Sequence, residues 1–298
     1  DSSEEAAGLE SKEITFGATS GPYSDMVTKA IKPGLEELGY TVKVTEFSDY
    51  IQPNNALNNG DIQANLFQHT IYLENFEKEN KMDLTGLITV PTAPMGIYSN
   101  EFKSIDEIKD GATIAIPNDP TNAARAFNTL QDEGLIVVAE DANPLTVSEK
   151  DIVENSKQLK FQPLESGQLP RAVERADLAA VPGNFALAAG MDLLSALTLE
   201  NMLDPYRNVV AIKADDEDTQ LAKDIKSVIE GATPALILID ELADYCAKAS
   251  GLTVGGGTLF TQTNSFMQTL TEVVASVPKT VLICTLPASA TEVASSEI

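Results

Sequence analysis

From Glu13 onward the chain repeats one unit, a short apolar strand followed by an amphipathic helix. Ile14-Thr15-Phe16-Gly17-Ala18 reads as a buried strand that ends in a turn at Ser20-Gly21-Pro22. Ser24 to Leu38 reads as a helix whose apolar stripe starts at Met26, Val27, Ala30 and Ile31. Gly39 sits where its C-terminal cap belongs, and Pro33 predicts a kink or an early break. Residues 41–45 alternate as a strand, about 49–59 form a helix closed by Gly60, 62–67 form a strand, and His69 to Lys78 form a helix. A β-α-β-α-β-α order requires right-handed crossovers and a mainly parallel sheet.

Residues 84–100 break the rhythm. They are extended, apolar and interrupted by Pro91 and Pro94, as expected of a strand that leaves one sheet or of a hinge. A second α/β unit follows, with strands expected over 113–116, 135–138, 160–162 and 178–181 and helices over 120–133 and 168–175. Residues 208–212 then read as a strand and 218–229 as a helix. The expected architecture is α/β in two lobes with a cleft between them. Residues 13–92 and about 204–231 form lobe I, 93–203 form lobe II, and hinges fall near 91–100 and 200–206. Residues 1–12 are expected to be a flexible acidic leader. Ligands of open α/β sheets bind beyond the carboxyl ends of the strands.

Composition narrows the chemistry. Asp and Glu outnumber Lys and Arg 45 to 20, a net charge of −25, which argues against a nucleic-acid partner. The single histidine, His69, rules out a multi-histidine metal site, and no cofactor or metal is expected. No apolar run approaches the ~20 residues of a membrane span. Cys246 and Cys284 both lie late in the chain, and spacing does not say whether they pair.

Three segments carry candidate ligand contacts. Asn65 to Leu73 puts Phe67, His69 and Tyr72 at a strand-to-helix junction, with His69 and Tyr72 on one helix face. There His69 is either a helix cap among core aromatics or a ligand contact. In Asn118-Asp119-Pro120-Thr121-Asn122-Ala123-Ala124-Arg125, Asp119 or Asn118 can cap a helix and Pro120 fits its first turn. Asn122 and Arg125 then share the first two turns, where an anion is favoured and an Arg fork can clamp a carboxylate. The alternative is an Arg paired with one of the many acids. Val181-Pro182-Gly183-Asn184-Phe185 ends a strand and aims the Asn184 amide at the cleft, although Asn is also common in turns for local reasons.

These segments, with Gly17-Ala18-Thr19-Ser20-Gly21-Pro22, Tyr50-Ile51-Gln52-Pro53-Asn54 and Pro205-Tyr206-Arg207-Asn208-Val209-Val210, resemble the methionine-binding lipoproteins of bacterial ABC importers, the MetQ/NlpA family, over about residues 12–230. The resemblance implies a two-lobed periplasmic-binding-protein fold of type II and delivery of methionine to an ABC permease driven by a separate ATPase. It implies that Arg125 holds the ligand carboxylate with Asn122 nearby. Asn184 and Asn208 would then hold the amino and carboxylate ends, and Tyr50, Phe67, His69 and Tyr72 would line the side-chain pocket. It further implies a monomer outside the cytoplasm or at the cell surface, held by a lipid on a Cys preceding Asp1. Another amino acid or a small methionine peptide is the alternative ligand. No catalytic residue is expected, since His69 is the only general base near neutral pH. Gln63 stands where the family usually has an acid, outside the expected pocket.

Residues 232–298 depart from that pattern. Ala235-Leu236-Ile237-Leu238-Ile239-Asp240-Glu241 resembles the Walker B strand of a P-loop ATPase, and Val281 to Pro287 resembles the next strand of such a domain. In that setting the Asp orients Mg²⁺ and the Glu activates water. The chain has no G-x-x-x-x-G-K-[ST], and Gly255-Gly256-Gly257-Thr258 lacks the Lys. Nucleotide hydrolysis is therefore the weakest expectation, and the segment is expected to be an appended fragment.

Overall fold

The structure, a computed structural model, describes residues 12–232 and, beyond them, four short strands. The chain divides into two compact units, Asp1–Ile229 and Glu230–Ile298. In the first unit the elements run β1 (Glu13–Thr19), α1 (Pro22–Met26), a π-helical turn (Val27–Ile31), α2 (Lys32–Glu37), β2 (Thr41–Phe47), α3 (Gln52–Asn59), β3 (Ala64–His69), α4 (Thr70–Asn80) and β4 (Leu84–Thr89). The chain then crosses to β5 (Gly96–Tyr98), β6 (Thr113–Pro117), α5 (Pro120–Asp132), β7 (Val137–Val138), β8 (Ile152–Glu154), β9 (Lys160–Leu164), α6 (Leu169–Ala172), β10 (Leu178–Val181), α7 (Gly183–Ala188) and β11 (Thr198–Leu199). It returns as β12 (Asn208–Lys213), and the unit ends within α8 (Gln220–Ala232).

Two five-stranded sheets result, in the orders β2-β1-β3-β12-β4 and β11-β5-β10-β6-β9. The strands linked by helices are parallel, β1 to both β2 and β3, and β6 to both β9 and β10. The strands that enter through a crossover are antiparallel. The returning β12 inserts between β3 and β4, and β5 pairs with β10 and β11. The expected parallel order therefore holds for half of each sheet. The antiparallel half comes from two passes of chain between the lobes, which no βαβ count includes.

The strand pattern explains these positions. All six residues of β3 are buried, as suits a strand covered on both faces, whereas β2 at the edge alternates. Ile14, Phe16, Leu66, Val210 and Ile212 form the core of lobe I with Val27, Ile31 and Leu35, and Ala222, Ile225 and Ile229 of α8 cover it. Each fully buried Ile or Leu contributes ~1.5–3 kcal/mol. Ile97, Ile114, Phe127, Leu130 and Leu178 do the same in lobe II. The helix expected over 24–38 is present as α1, the π turn and α2. The widened turn falls next to Pro33, which has no N–H for the carbonyl four residues back. The expected strand at 135–138 is shorter, only Val137–Val138, because Leu135 and Ile136 turn inward to the lobe II core.

In the second unit β13 (Ala235–Ile239) pairs in parallel with β16 (Thr280–Cys284), and β14 (Thr253–Val254) pairs antiparallel with β15 (Gly257–Thr258). The leader before Lys12, the Asp240-Glu241 pair and Cys246 lie outside the described residues.

Candidate functional site

The carboxyl ends of the parallel strands of both lobes converge on one cleft. β3 delivers Phe67, Gln68 and His69, β6 leads into the N-terminus of α5, and β10 leads into α7 with Asn184 in its first turn. There they form a narrow cavity lined by Tyr23, Tyr50, Phe67, Gln68, His69, Tyr72, Ala93, Asn122, Arg125, Asn184 and Asn208. All eight residues singled out from the sequence line it.

Two helix caps set the polar geometry. His69 is the N-cap of α4, and its Nδ1 accepts from the Tyr72 N–H at 3.0 Å. Nε2 is therefore the protonated nitrogen, and it donates to Asn122 Oδ1 at 3.1 Å in the other lobe. His69 is thus the helix cap that the sequence offered, and its ring lines the cavity. Burial, with Arg125 nearby, holds its pKa down to about 3, against an opposing pull from Asn122. Asp119 caps α5, accepting from the Asn122 N–H at 2.9 Å, from Asn122 Nδ2 and from Thr121 Oγ1. That leaves Asn122 Oδ1 free to accept also from Arg125 Nη1 at 3.0 Å. Burial raises the pKa of Asp119, while those hydrogen bonds oppose the rise.

Arg125 is the cation of the site, with its side chain 5% exposed. It makes a two-pronged pair with Glu200: Nε donates to Oε2 at 2.9 Å and Nη2 to Oε1. The guanidinium also lies 5.6 Å from the Tyr206 ring centre. Burial disfavours its charge, but Glu200 overrides this and its pKa rises above the usual value. Of five N–H groups three are engaged by Glu200 and Asn122, leaving two among the described residues. The alternative reading, an Arg paired with an acid, is met by a buried acid rather than a surface one.

Asn184 supplies a further open donor. Its Oδ1 accepts from Tyr50 Oη at 2.7 Å across the cleft, and its buried Nδ2 has no partner. A buried amide hydrogen without an acceptor costs ~1–3 kcal/mol. Gly183 lets this turn pack, since a Cβ there would collide with the Pro94 carbonyl oxygen. Asn208 is buried at the start of β12, opposite His69, and its N–H donates to Thr92 Oγ1 at 2.8 Å.

An aromatic wall closes the cavity. Tyr50 lies 5.7 Å from Phe67, 5.8 Å from Tyr72 and 5.0 Å from Phe185, and Phe67 meets Tyr72 edge-on. Tyr72 Oη donates to the Tyr50 carbonyl at 3.0 Å. Beneath it Gln68 exchanges side-chain hydrogen bonds with Asn54 and Asn65, which satisfies a buried amide cluster. Burial pushes the Tyr23 hydroxyl up to about 12, so it is a neutral group at the wall.

Glu200, Tyr23 and Tyr206 were not picked out from the sequence. Glu200 is one acid among 45, and only its fold neighbours distinguish it. Gln63 lies away from the cavity, accepting from the Thr15 N–H at 2.8 Å. Among the described residues no group of three His, Cys, Asp or Glu side chains is placed to hold a metal ion, and no helix is long and apolar enough to cross a membrane.

Comparison with known proteins fits this geometry. The family described as NlpA lipoprotein matches residues 14–243. The D-methionine-binding lipoprotein MetQ of Salmonella typhi is 37% identical over 213 residues, covering 70% of this chain and 78% of that one. Its counterpart in Escherichia coli K12 is 36% identical over the same shares. A solved nutrient-binding protein from Burkholderia cenocepacia, bound to methionine, has a TM-score of 0.69 and 37% identity, covering 73% of this chain and 91% of that one. The family match ends at residue 243, and the Walker B resemblance of 232–298 finds no support in these comparisons. An apolar strand ended by acids has many settings besides a nucleotide site. Over residues 14–243 the chain is a member of the NlpA lipoprotein family, with the two-lobed periplasmic-binding fold.

Proposed function

We propose that this chain is an extracytoplasmic solute-binding protein that captures methionine between its lobes and delivers it to an ABC permease. The observation that carries the reading is the convergence of open donors on one aromatic cavity: two N–H groups of Arg125 and the unpartnered Nδ2 of Asn184. A carboxylate takes such donors, and charge-assisted bonds to Arg are the stronger ones. Asn122 and Asn208 add neutral partners for the zwitterionic head. The thioether lies against Tyr50, Phe67, His69 and Tyr72, where each sulfur–aromatic contact contributes ~0.3–1.5 kcal/mol. The relatives named for D-methionine and the methionine-bound neighbour support the same ligand.

Contacts from both lobes make the closed form the ligand-bound one, with the crossovers at 90–95 and 200–207 as hinges. The closed form is the one the permease reads. The chain works as a monomer held at the membrane by a lipid, and it carries out no reaction, because His69 is buried, neutral and committed at both nitrogens. The test is a thermal-shift screen of the twenty amino acids on protein stripped of ligand by unfolding and refolding. Methionine should give the largest rise. A larger rise with another amino acid would replace it as the ligand, and no rise with any would reject the reading.

A further inference from the structure

Glu200 occupies an unusual position. It lies just past β11, in the crossover that returns the chain to lobe I. Its N–H donates to the Met95 carbonyl at 2.9 Å, and its Oε1 accepts from the Met95 N–H at 2.7 Å. Met95 lies in the outgoing crossover. One acid therefore clips the two inter-lobe passes together and, with the same carboxylate, grips Arg125 in a two-pronged pair. The side chain is 4% exposed, so the pair is dry.

Resting on the reading of the cavity as an amino-acid site, we propose that Glu200 is a positioning residue that holds Arg125 from the hinge and cancels its charge, so that the cavity selects net-neutral zwitterions over anions and cations. The fork of Glu200 takes Nε and one edge of Nη2, which fixes the guanidinium plane and turns its remaining N–H groups away from Glu200. Buried charge must be matched, and the Arg125–Glu200 pair brings none in net. Asp119, the other acid nearby, is half-buried and lines the neighbouring outer pocket instead of the cavity. It is held by the N-terminus of α5 and by the Asn122 and Thr121 side chains. A zwitterion enters this site without adding net charge. A lone carboxylate or a lone ammonium adds one.

The test uses three probes on the full chain: methionine, desamino-methionine (the carboxylate without the ammonium) and methioninol (the ammonium without the carboxylate). Affinities are measured by calorimetry for the wild type, Glu200→Gln and Glu200→Asp. In the wild type both single-charge analogues should bind far more weakly than methionine. In Glu200→Gln the site keeps a buried cation without its counter-charge. The ratio of desamino-methionine to methionine affinity should then rise about tenfold or more, and the ratio for methioninol should fall. Glu200→Asp, which keeps the charge, should leave both ratios near wild type even where absolute affinity drops. If Glu200→Gln weakens all three probes in parallel, or changes none, Glu200 is merely structural and the proposal is overturned. A wild type that binds no zwitterionic amino acid would overturn the function itself, a different result from the parallel loss.

Discussion

His69 Nε2 donates to Asn122 Oδ1 across the cleft, a bond that exists only when a strand end of one lobe meets a helix start of the other. The same Asn122 oxygen receives Arg125 Nη1, so one amide joins lobe I to the cation of the site. A proton added to His69 would take the Nδ1 acceptor from the Tyr72 N–H and place a second cation beside Arg125.

That bond gives a pH signature. The folded pKa of His69 is lowered to about 3 from 6.5, so its neutral form is favoured by folding. Its contribution is fully present above pH 6.5 and is lost as pH falls toward 3. At pH 4.5 the expected loss is about 2–3 kcal/mol at ~1.4 kcal/mol per unit. The groups packed on the ring are Tyr72, Tyr206, Asn122 and Arg125. Thermal melts between pH 7.5 and 4.5 should fall more steeply for the wild type than for His69→Gln. Parallel curves would contradict the assignment.

Removing the cation should separate stability from binding. Arg125→Ala leaves the Glu200 carboxylate buried without its partner, at a cost of about 3–5 kcal/mol. Methionine affinity should fall about thirtyfold or more, since a desolvated charged contact is worth about 2–5 kcal/mol. Adding Glu200→Ala should recover much of the melting temperature and none of the affinity. Calorimetry on the single and double variants reads both quantities.

The aromatic wall is tied to the polar one through Tyr50. Tyr50→Phe deletes the hydroxyl that donates to Asn184 Oδ1 and leaves that oxygen buried. We expect methionine binding to weaken by about 1–3 kcal/mol. Asn184→Ala should weaken it similarly by removing the unpartnered Nδ2.

Closure has a steric checkpoint. A Cβ at Gly167 of lobe II would lie 3.0 Å from the Ser48 carbonyl oxygen of lobe I. Gly167→Val should hold the lobes apart without disturbing either core. Small-angle scattering should then show a radius of gyration that methionine no longer reduces. A variant that still contracts on adding methionine would remove Gly167 from the closing contact.

Much of this site was legible before any fold was known. Asn122 and Arg125 follow Asp119-Pro120, a capping pattern that puts both on the first turns of α5. His69 and Tyr72 follow β3 in the same way. Such residues announce themselves because strand ends and helix starts carry local signals. Glu200 has no such signal. It belongs to a crossover, and its role depends on Met95 and Arg125, 105 and 75 residues away in sequence. Tyr23 reaches the cavity from a helix start, and Tyr206 packs on His69 and Arg125 from a crossover turn; the spacing of both reads as ordinary core. The antiparallel β5 and β12 were hidden for the same reason, since periodicity shows a strand but not its neighbours. In residues 232–298 a short apolar run ending in Asp-Glu carries little information, because the chain has no G-x-x-x-x-G-K-[ST] to go with it.

The most direct measurement is isothermal titration of L-methionine and D-methionine into the refolded, ligand-free chain. We expect saturable binding of one methionine per chain, weakened about thirtyfold or more in Arg125→Ala. Absence of binding by both enantiomers to a protein that melts cooperatively would contradict the proposed function.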